Sequence, residues 1–258
     1  MIAEQYRKML DAKSVIRQLS EKATKRAQII GAENVFDYSL GNPSVPAPAE
    51  FKQALLDLIE KEDPMTLHGY SPTLGIPSVK TAIAESLNCR FDMNYGPEHI
   101  FPVSAAAAAI AHALRAVTVP GDEVLTFAPF FPEYHPYVDL TGAVLKVVPA
   151  DTKSFQINFE AFEEMLGPRV AAVLVNTLTK LAEVLTRKAE QYGHDIFLIS
   201  DEPYREIVFD GKQQPYVSKF YANTISCYSF SKALSLPGER IGYLAVNPAC
   251  PYAAEIVN

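Results

Sequence analysis

Seven short apolar runs recur along the chain from residue 100 onward, and stretches with helical spacing of apolar residues separate them. Strands that alternate with helices predict an α/β fold with a layered sheet. The runs near residues 171–175 and 196–199 are apolar on both faces, which is typical of strands covered on both sides by helices. The prediction is a three-layer α/β/α architecture with a mostly parallel sheet. The predicted strands are 100–103, 123–127, 144–148, 170–175, 196–200, 224–229 and 241–246.

The first hundred residues show helical patterns instead of strands. Residues 1–31 are charged, with apolar residues at helical spacing, and Gly31 is a plausible helix stop. A second helix is predicted over about residues 49–60 and a third over 79–87, with a loop rich in glycine and proline between them.

Ligands of parallel α/β sheets bind beyond the carboxyl ends of the strands, so the residues that follow each run are candidates for a site. Ser104 opens a helix after the first run, and a helix N-terminus presents free N–H groups to a phosphate. Asp201 ends the fifth run, where a buried carboxylate is costly unless a positive group pairs with it.

The stretch from Tyr228 to Tyr243 carries the most specific chemistry. Lys232 is accompanied by the hydroxyls of Ser229 and Ser231 and by Arg240. Hydroxyls and a guanidinium fork around one amine suit a phosphorylated carbonyl compound. A lysine amine attacks a carbonyl only when it is unprotonated, which requires partial desolvation or a neighbouring positive charge. The alternative is a solvated lysine on a turn between two strands.

Composition and charge exclude several classes of function. The 258 residues are 48% hydrophobic, which is enough for a sizeable core. A net charge of −7 argues against nucleic acid or an anionic membrane as the main partner. The three cysteines are far apart and in no metal-ligand spacing, so they indicate reduced thiols and a cytoplasmic protein. No apolar stretch typical of a signal peptide or a membrane span is visible.

The segment Ser229-Phe230-Ser231-Lys232, followed by residues 235–242 (SLPGERIG), resembles the cofactor-attachment signature of class I/II aminotransferases. These are fold type I pyridoxal-phosphate enzymes of the aspartate aminotransferase superfamily. The resemblance extends from about Asp37 to Pro248. It implies that Lys232 binds pyridoxal 5'-phosphate covalently. It also implies that the phosphate is held by Ser229, Arg240 and the backbone amides of Ala105 and Ala106, although Ala105 stands where the family has glycine.

Two further segments resemble parts of the cofactor site. Asp201-Glu202-Pro203-Tyr204 is similar to the family's Asp-Glu-Pro-Tyr. This implies that Asp201 pairs with the protonated pyridine nitrogen and that Tyr204 hydrogen-bonds the ring oxygen. The turn that contains Phe131 resembles one whose second aromatic residue stacks on the pyridine ring.

Two upstream loops resemble segments that complete the family's site. Gly41-Asn42-Pro43 looks like a segment that contacts the substrate carboxylate, which makes Gly41 a candidate substrate-binding residue. Tyr70 lies in a loop that looks like the family's Tyr-x-Pro-x-x-Gly, whose tyrosine reaches the cofactor phosphate of the neighbouring subunit. The resemblance therefore implies a homodimer with shared active sites.

The chain departs from the family pattern in two places. The Asn-Pro-Thr-Gly loop is absent after Asn176, and the sequence stops at Asn258 where the family continues into a C-terminal small domain. The expectation is an incomplete version of a longer parent. In it, residues 1–44 form an N-terminal arm and part of the small domain, 45–246 the cofactor-binding large domain, and 247–258 the start of a truncated C-terminal small domain.

The resemblance implies transfer of an amino group between an L-amino acid and a 2-oxo acid. Lys232, Asp201 and Tyr204 are the expected catalytic residues, with Lys232 moving a proton as base and acid. One alternative is a lyase, decarboxylase or racemase on the same scaffold, because the attachment segment does not separate these reactions. The other is a cofactor-binding remnant without turnover, which the two departures favour.

Overall fold

The computed structural model describes residues 7, 15–39, 41–154, 156–176, 181–212 and 214–258. The chain divides into two compact units, Met1–Ser44 and Val45–Asn258. In the first unit, helix α1 (Val15–Ile30) ends at the predicted stop, and Gly31 follows with a φ of 90°. The predicted helical residues 1–6 and 8–14 lie outside the described residues. Within the described part of the chain, no helix is both long and apolar enough to cross a bilayer.

The second unit contains the remaining helices and all the strands. Its helices are α2 (Ala49–Lys61), α3 (Pro64–His68), α4 (Pro77–Phe91), α5 (Ala105–Val117), α6 (Tyr134–Asp139), α7 (Phe159–Met165), α8 (Leu181–Tyr192), α9 (Phe230–Ala233) and α10 (Ala253–Val257). Its strands are β1 (Ile100–Val103), β2 (Glu123–Phe127), β3 (Val144–Val148), β4 (Val170–Val175), β5 (Phe197–Asp201), β6 (Thr224–Ser229) and β7 (Gly242–Val246). Each strand lies within one residue of the predicted run.

The strands form one 7-stranded sheet in the order β1-β7-β6-β5-β4-β2-β3. Strands β2 to β6 all pair in parallel. Strand β7 is antiparallel to both of its neighbours, β6 and β1. The predicted α/β class and the mostly parallel sheet are therefore confirmed.

Helices cover both faces of the sheet, as the doubly apolar runs predict. Along β4, Ala172 and Leu174 belong to one buried cluster with Ile110 of α5. Val173 and Val175 point to the opposite cluster, which includes residues of α7 and α8. Helix α10 contributes Ala253 and Val257 to the first cluster. The predicted assignment of residues 1–44 and 247–258 to a small domain stays a prediction.

The antiparallel strand β7 determines which strand ends lie together on one side of the sheet, which is called the shared edge below. Because β7 opposes both neighbours, β1 and β6 run in the same direction, and their carboxyl ends lie at one edge with those of β2, β4 and β5. Gly242 at the start of β7 pairs with Val103 on one side and with Ser229 on the other. The loops that follow the parallel strands therefore share this edge with the start of β7.

Candidate active site

Most of the predicted site residues lie at or just after strand ends on this shared side of the sheet. Their elements place them after β1, β2, β5 and β6 and just before β7: Ala105, Ala106, Phe131, Asp201, Tyr204, Ser229, Lys232 and Arg240. Tyr70 lies in the loop between α3 and α4 with a fully exposed side chain. Gly41 belongs to the other compact unit, Met1–Ser44.

Helix α9 presents Lys232 directly after the end of β6. The helix starts because the Ser229 side chain caps it: its Oγ accepts a hydrogen bond from the Ser231 amide at 3.1 Å and donates one to Ser231 Oγ at 2.6 Å. Lys232 is half-buried, and its Nζ lies 6.0 Å from the centre of the Tyr204 ring. Partial burial lowers the pKa of Lys232, which raises the fraction of neutral, nucleophilic amine.

Asp201 occupies the last position of β5 and is only 7% exposed. The Tyr134 hydroxyl donates a hydrogen bond to Asp201 Oδ2 at 2.7 Å, whereas Oδ1 is buried without a hydrogen-bond partner among the described residues. Burial raises the pKa of Asp201 to about 6, the Tyr134 hydrogen bond lowers it, and the charge of Glu202 raises it. A buried carboxylate oxygen with no donor fits the protonated ring nitrogen that the resemblance assigns to it.

Tyr134 is a site residue that the sequence reasoning missed. It is buried and opens α6, the short helix that follows the turn after β2. One turn later, the pKa of Tyr137 is raised mainly by burial, raised further by Glu133 and Asp201, and lowered by Arg240. Helix α6 therefore presents Tyr134 directly to Asp201. The sequence signal for Tyr134 was weak: it is a tyrosine soon after a predicted strand end, in the same turn as Phe131.

Gly242 lies between the ends of β1 and β6, next to Ala105 at the start of α5. A Cβ on Gly242 would collide with the backbone oxygen of Tyr228 and would lie 2.8 Å from the Cα of Ala105, so only glycine fits. Ala105 has a φ of 67°, a left-handed conformation that costs a residue with a Cβ about 1–2 kcal/mol. Ala105 therefore adopts the backbone conformation expected of the glycine that the family has there. The first amides of α5, like those of any helix, have no acceptor within the helix.

The remaining predicted groups are exposed around this edge. Arg240 is exposed, has a φ of 53°, and donates from Nη1 to the backbone oxygen of Pro237 at 3.1 Å. Phe131 is 46% exposed and contacts the Tyr134 ring edge-on, with 5.9 Å between ring centres. An exposed flat ring beside the pair of Asp201 and Tyr134 is available for stacking on a planar ligand.

The predicted departure from the family after β4 falls on residues 177–180, which lie outside the described residues. Asn176, the last described residue before them, is exposed.

We expect Gly242→Ala to destabilise the protein by about 1–3 kcal/mol, the usual cost of overpacking a closely packed position. The added methyl group collides with backbone atoms that cannot rotate away. Urea unfolding of the cofactor-free protein measures this loss. Gly238→Ala is the matched control, because nothing lies within 4 Å of a Cβ added there. Equal stabilities of the two variants would contradict the packing at Gly242.

Comparison with known proteins places this geometry in a family. Residues 33–258 match the family model described as aminotransferase class I and II. An aspartate aminotransferase of Thermotoga maritima is 28% identical over 232 residues, which are 86% of this chain and 60% of that protein. A methionine aminotransferase of Escherichia coli is 26% identical over 246 residues, which are 90% of this chain and 62% of that protein.

The solved structures show the same fold. A crystal structure of an amino transferase from Eubacterium rectale has a TM-score of 0.93 and 41% sequence identity to this chain. It is matched over 100% of this chain and 68% of its own length. The chain thus spans about three fifths of the curated relatives described above.

Proposed function

Since the chain belongs to the class I and II aminotransferases, we propose that its protein moves an amino group between an L-amino acid and a 2-oxo acid, with pyridoxal 5'-phosphate as cofactor. The observation that carries this proposal is the buried Asp201 Oδ1, which has no hydrogen-bond donor among the described residues and lies at the same end of the sheet as the half-buried amine of Lys232. When bound, pyridoxal phosphate supplies a ring that accepts electrons from the carbon being deprotonated.

In this proposal, Lys232 has two tasks. Its amine would bind the cofactor covalently, and once released it would take the proton from the substrate α-carbon and deliver it to the cofactor carbon. The lowered pKa of Lys232 supports both tasks, because each requires a neutral amine at some stage. Tyr204, with its ring 6.0 Å from Lys232 Nζ, would donate a hydrogen bond to the cofactor's ring oxygen.

Asp201 and Phe131 would hold the ring. A charged carboxylate at Asp201 keeps the ring nitrogen protonated, and the Tyr134 hydroxyl on Oδ2 leaves Oδ1 for that contact. The exposed ring of Phe131 would stack on the cofactor.

The phosphate would be held near Gly242, where the ends of three strands meet. Ser229 supplies a hydroxyl, Arg240 a guanidinium fork, and Ala105 and Ala106 the first amides of α5. The pairing of Gly242 with both Val103 and Ser229 supports this grouping, because it brings the start of α5 beside the end of β6.

The proposal extends to the assembly, which would be a homodimer with shared active sites, and to its location in the cytoplasm. The fully exposed ring of Tyr70 is suited to reach the phosphate of a second copy, and Gly41 is the proposed contact for the substrate carboxylate. All three cysteines are free, which supports a reducing compartment.

The test is the absorption spectrum of the purified protein with pyridoxal phosphate, before and after L-amino acids are added. We expect an absorption band from the bound cofactor that changes when an L-amino acid is added, while the 2-oxo acid that corresponds to that amino acid is formed. The original band should return when a second 2-oxo acid is added. D-amino acids are the control. Release of carbon dioxide or loss of the substrate side chain without amino transfer would overturn the proposed reaction, and absence of any band would overturn the cofactor assignment.

A further inference from the structure

Arg205 is a buried cation outside the groups discussed so far. It is 6% exposed, although arginine is almost never fully buried without partners. Its Nη1 donates to Glu202 Oε2 at 2.8 Å and its Nη2 donates to the Tyr243 hydroxyl at 2.8 Å. Nε and Nη2 both lie 3.3 Å from Glu206 Oε1. The guanidinium therefore donates hydrogen bonds to three residues, Glu202, Glu206 and Tyr243.

Aromatic rings surround the same guanidinium. Its central carbon lies 4.3 Å from the ring centre of Tyr228, 5.1 Å from that of Phe91 and 5.6 Å from that of Tyr216. These distances are within the range of cation–π attraction, which is strongest where water is excluded. Arg205 thereby contacts the end of β6 through Tyr228, β7 through Tyr243 and α4 through Phe91.

The position of Arg205 in the chain connects these contacts to the candidate site. Arg205 directly follows Tyr204 in the turn after β5, and its amide donates to the Glu202 oxygen at 3.2 Å. The Ile207 amide closes the next turn by donating to the Tyr204 oxygen at 2.9 Å. Tyr228 immediately precedes Ser229, where the helix that carries Lys232 begins.

We propose that Arg205 is a positioning residue, which holds the Tyr204 turn against the end of β6 and so sets the Tyr204 side chain beside the Lys232 amine. Arg205 donates hydrogen bonds to Glu202 and Glu206 in the turn. It also makes a cation–π contact with Tyr228 at the end of β6. An arginine is needed because the position combines four hydrogen bonds from one planar group with contacts to three aromatic rings. Lysine keeps the charge beside Glu202 but has neither the fork nor the faces.

The first test needs no cofactor. Arg205→Lys should accelerate hydrogen exchange of the Ile207 amide and of the segment 228–232 about tenfold, while exchange in β4 is unchanged; tenfold corresponds to about 1.4 kcal/mol. The matched control is Arg90→Lys. Arg90 also pairs with Glu206, at 2.9 Å, and lies 5.0 Å from the Phe91 ring, but it is exposed and neither Glu202 nor Tyr243 is among its described partners. Equal exchange in wild type and Arg205→Lys would overturn the proposal.

The second test rests on the proposed function and follows the absorbance of the bound cofactor against pH. A phenol that donates a hydrogen bond to the ring oxygen stabilises the deprotonated form of the bound cofactor. Because Tyr204→Phe removes this donor, it should raise the pH midpoint of the absorbance change. Arg205→Lys should raise it too, and the double variant should match Tyr204→Phe alone, because Arg205 acts through Tyr204.

The outcomes separate the two proposals. Additive shifts of the midpoint in the double variant would show that Arg205 acts independently of Tyr204 and would overturn the positioning role. If Arg205 had a merely structural role, Arg205→Lys would lower the stability and leave the midpoint unchanged. That result would also overturn the positioning role. If wild type fails to bind pyridoxal phosphate, the proposed function is wrong, and the exchange experiment alone decides whether Arg205 holds the turn.

Discussion

Replacing Lys232 with alanine is expected to abolish covalent capture of pyridoxal phosphate by borohydride and to lower turnover by at least ~10²–10⁴-fold, the usual contribution of a general base. The reason is that α9 places this amine half-buried at the carboxyl edge of the sheet, where burial lowers its pKa. An exposed lysine at neutral pH stays protonated and cannot attack a carbonyl.

Mass spectrometry of the reduced, digested protein identifies which lysine carries the cofactor. Lys219→Ala is the matched control, because its side chain is 40% exposed and pairs only loosely with Asp92, at 3.8 Å. We expect the control to be labelled at Lys232 like wild type. Labelling of Lys232→Ala at a different lysine, at the wild-type level, would remove Lys232 from the centre of the site.

Replacing Asp201 with asparagine is expected to lower turnover by about 10²–10³-fold while covalent binding at Lys232 persists. Asparagine keeps the shape and can still accept the hydrogen bond from Tyr134, but it carries no charge to hold a ring nitrogen protonated. Single-turnover rates, compared with the extent of borohydride capture, separate the two effects. Near-normal rates would make Asp201 a purely structural residue.

The same substitution should stabilise the cofactor-free protein, because burial raises the pKa of Asp201 from 3.8 to about 6. A raised carboxyl pKa means that the folded state holds the proton more tightly than the unfolded state, so the cost of charging Asp201 grows between pH 3.8 and about 6 and is constant above. Asp201→Asn removes this cost, which is about 3 kcal/mol above pH 6. Thermal unfolding should show a gain at pH 7 that disappears near pH 4, and a constant difference across this range would contradict it.

The strands were predictable because their apolar character does not depend on their partners. Strands such as β4 and β7 are buried on both faces, so their sequences are continuous apolar runs. Asp201, Ser229 and Lys232 were predictable as candidates because ligands of parallel α/β sheets bind beyond the carboxyl ends of the strands. Their assignment to a cofactor came from the resemblance, since spacing alone leaves a solvated lysine open.

Contacts between distant segments were not predictable from the sequence. Tyr134 lies 67 residues from Asp201, and Arg205 lies 38 residues from Tyr243, so neither pair leaves a periodic pattern. The antiparallel placement of β7 between β6 and β1 was equally hidden, because hydrophobic periodicity identifies a strand but not its neighbour or its direction.

The position of β7 also has a consequence for biosynthesis. Among the described strands, β1 pairs only with β7, so Val103 cannot pair until Gly242 has left the ribosome. Roughly 140 residues separate the two, and translation adds about 5–20 residues per second, so the delay is on the order of ten seconds. During this time the apolar segment 100–117 of the nascent chain has no strand to pair with. We expect chaperones to bind this segment until residue 246 has emerged.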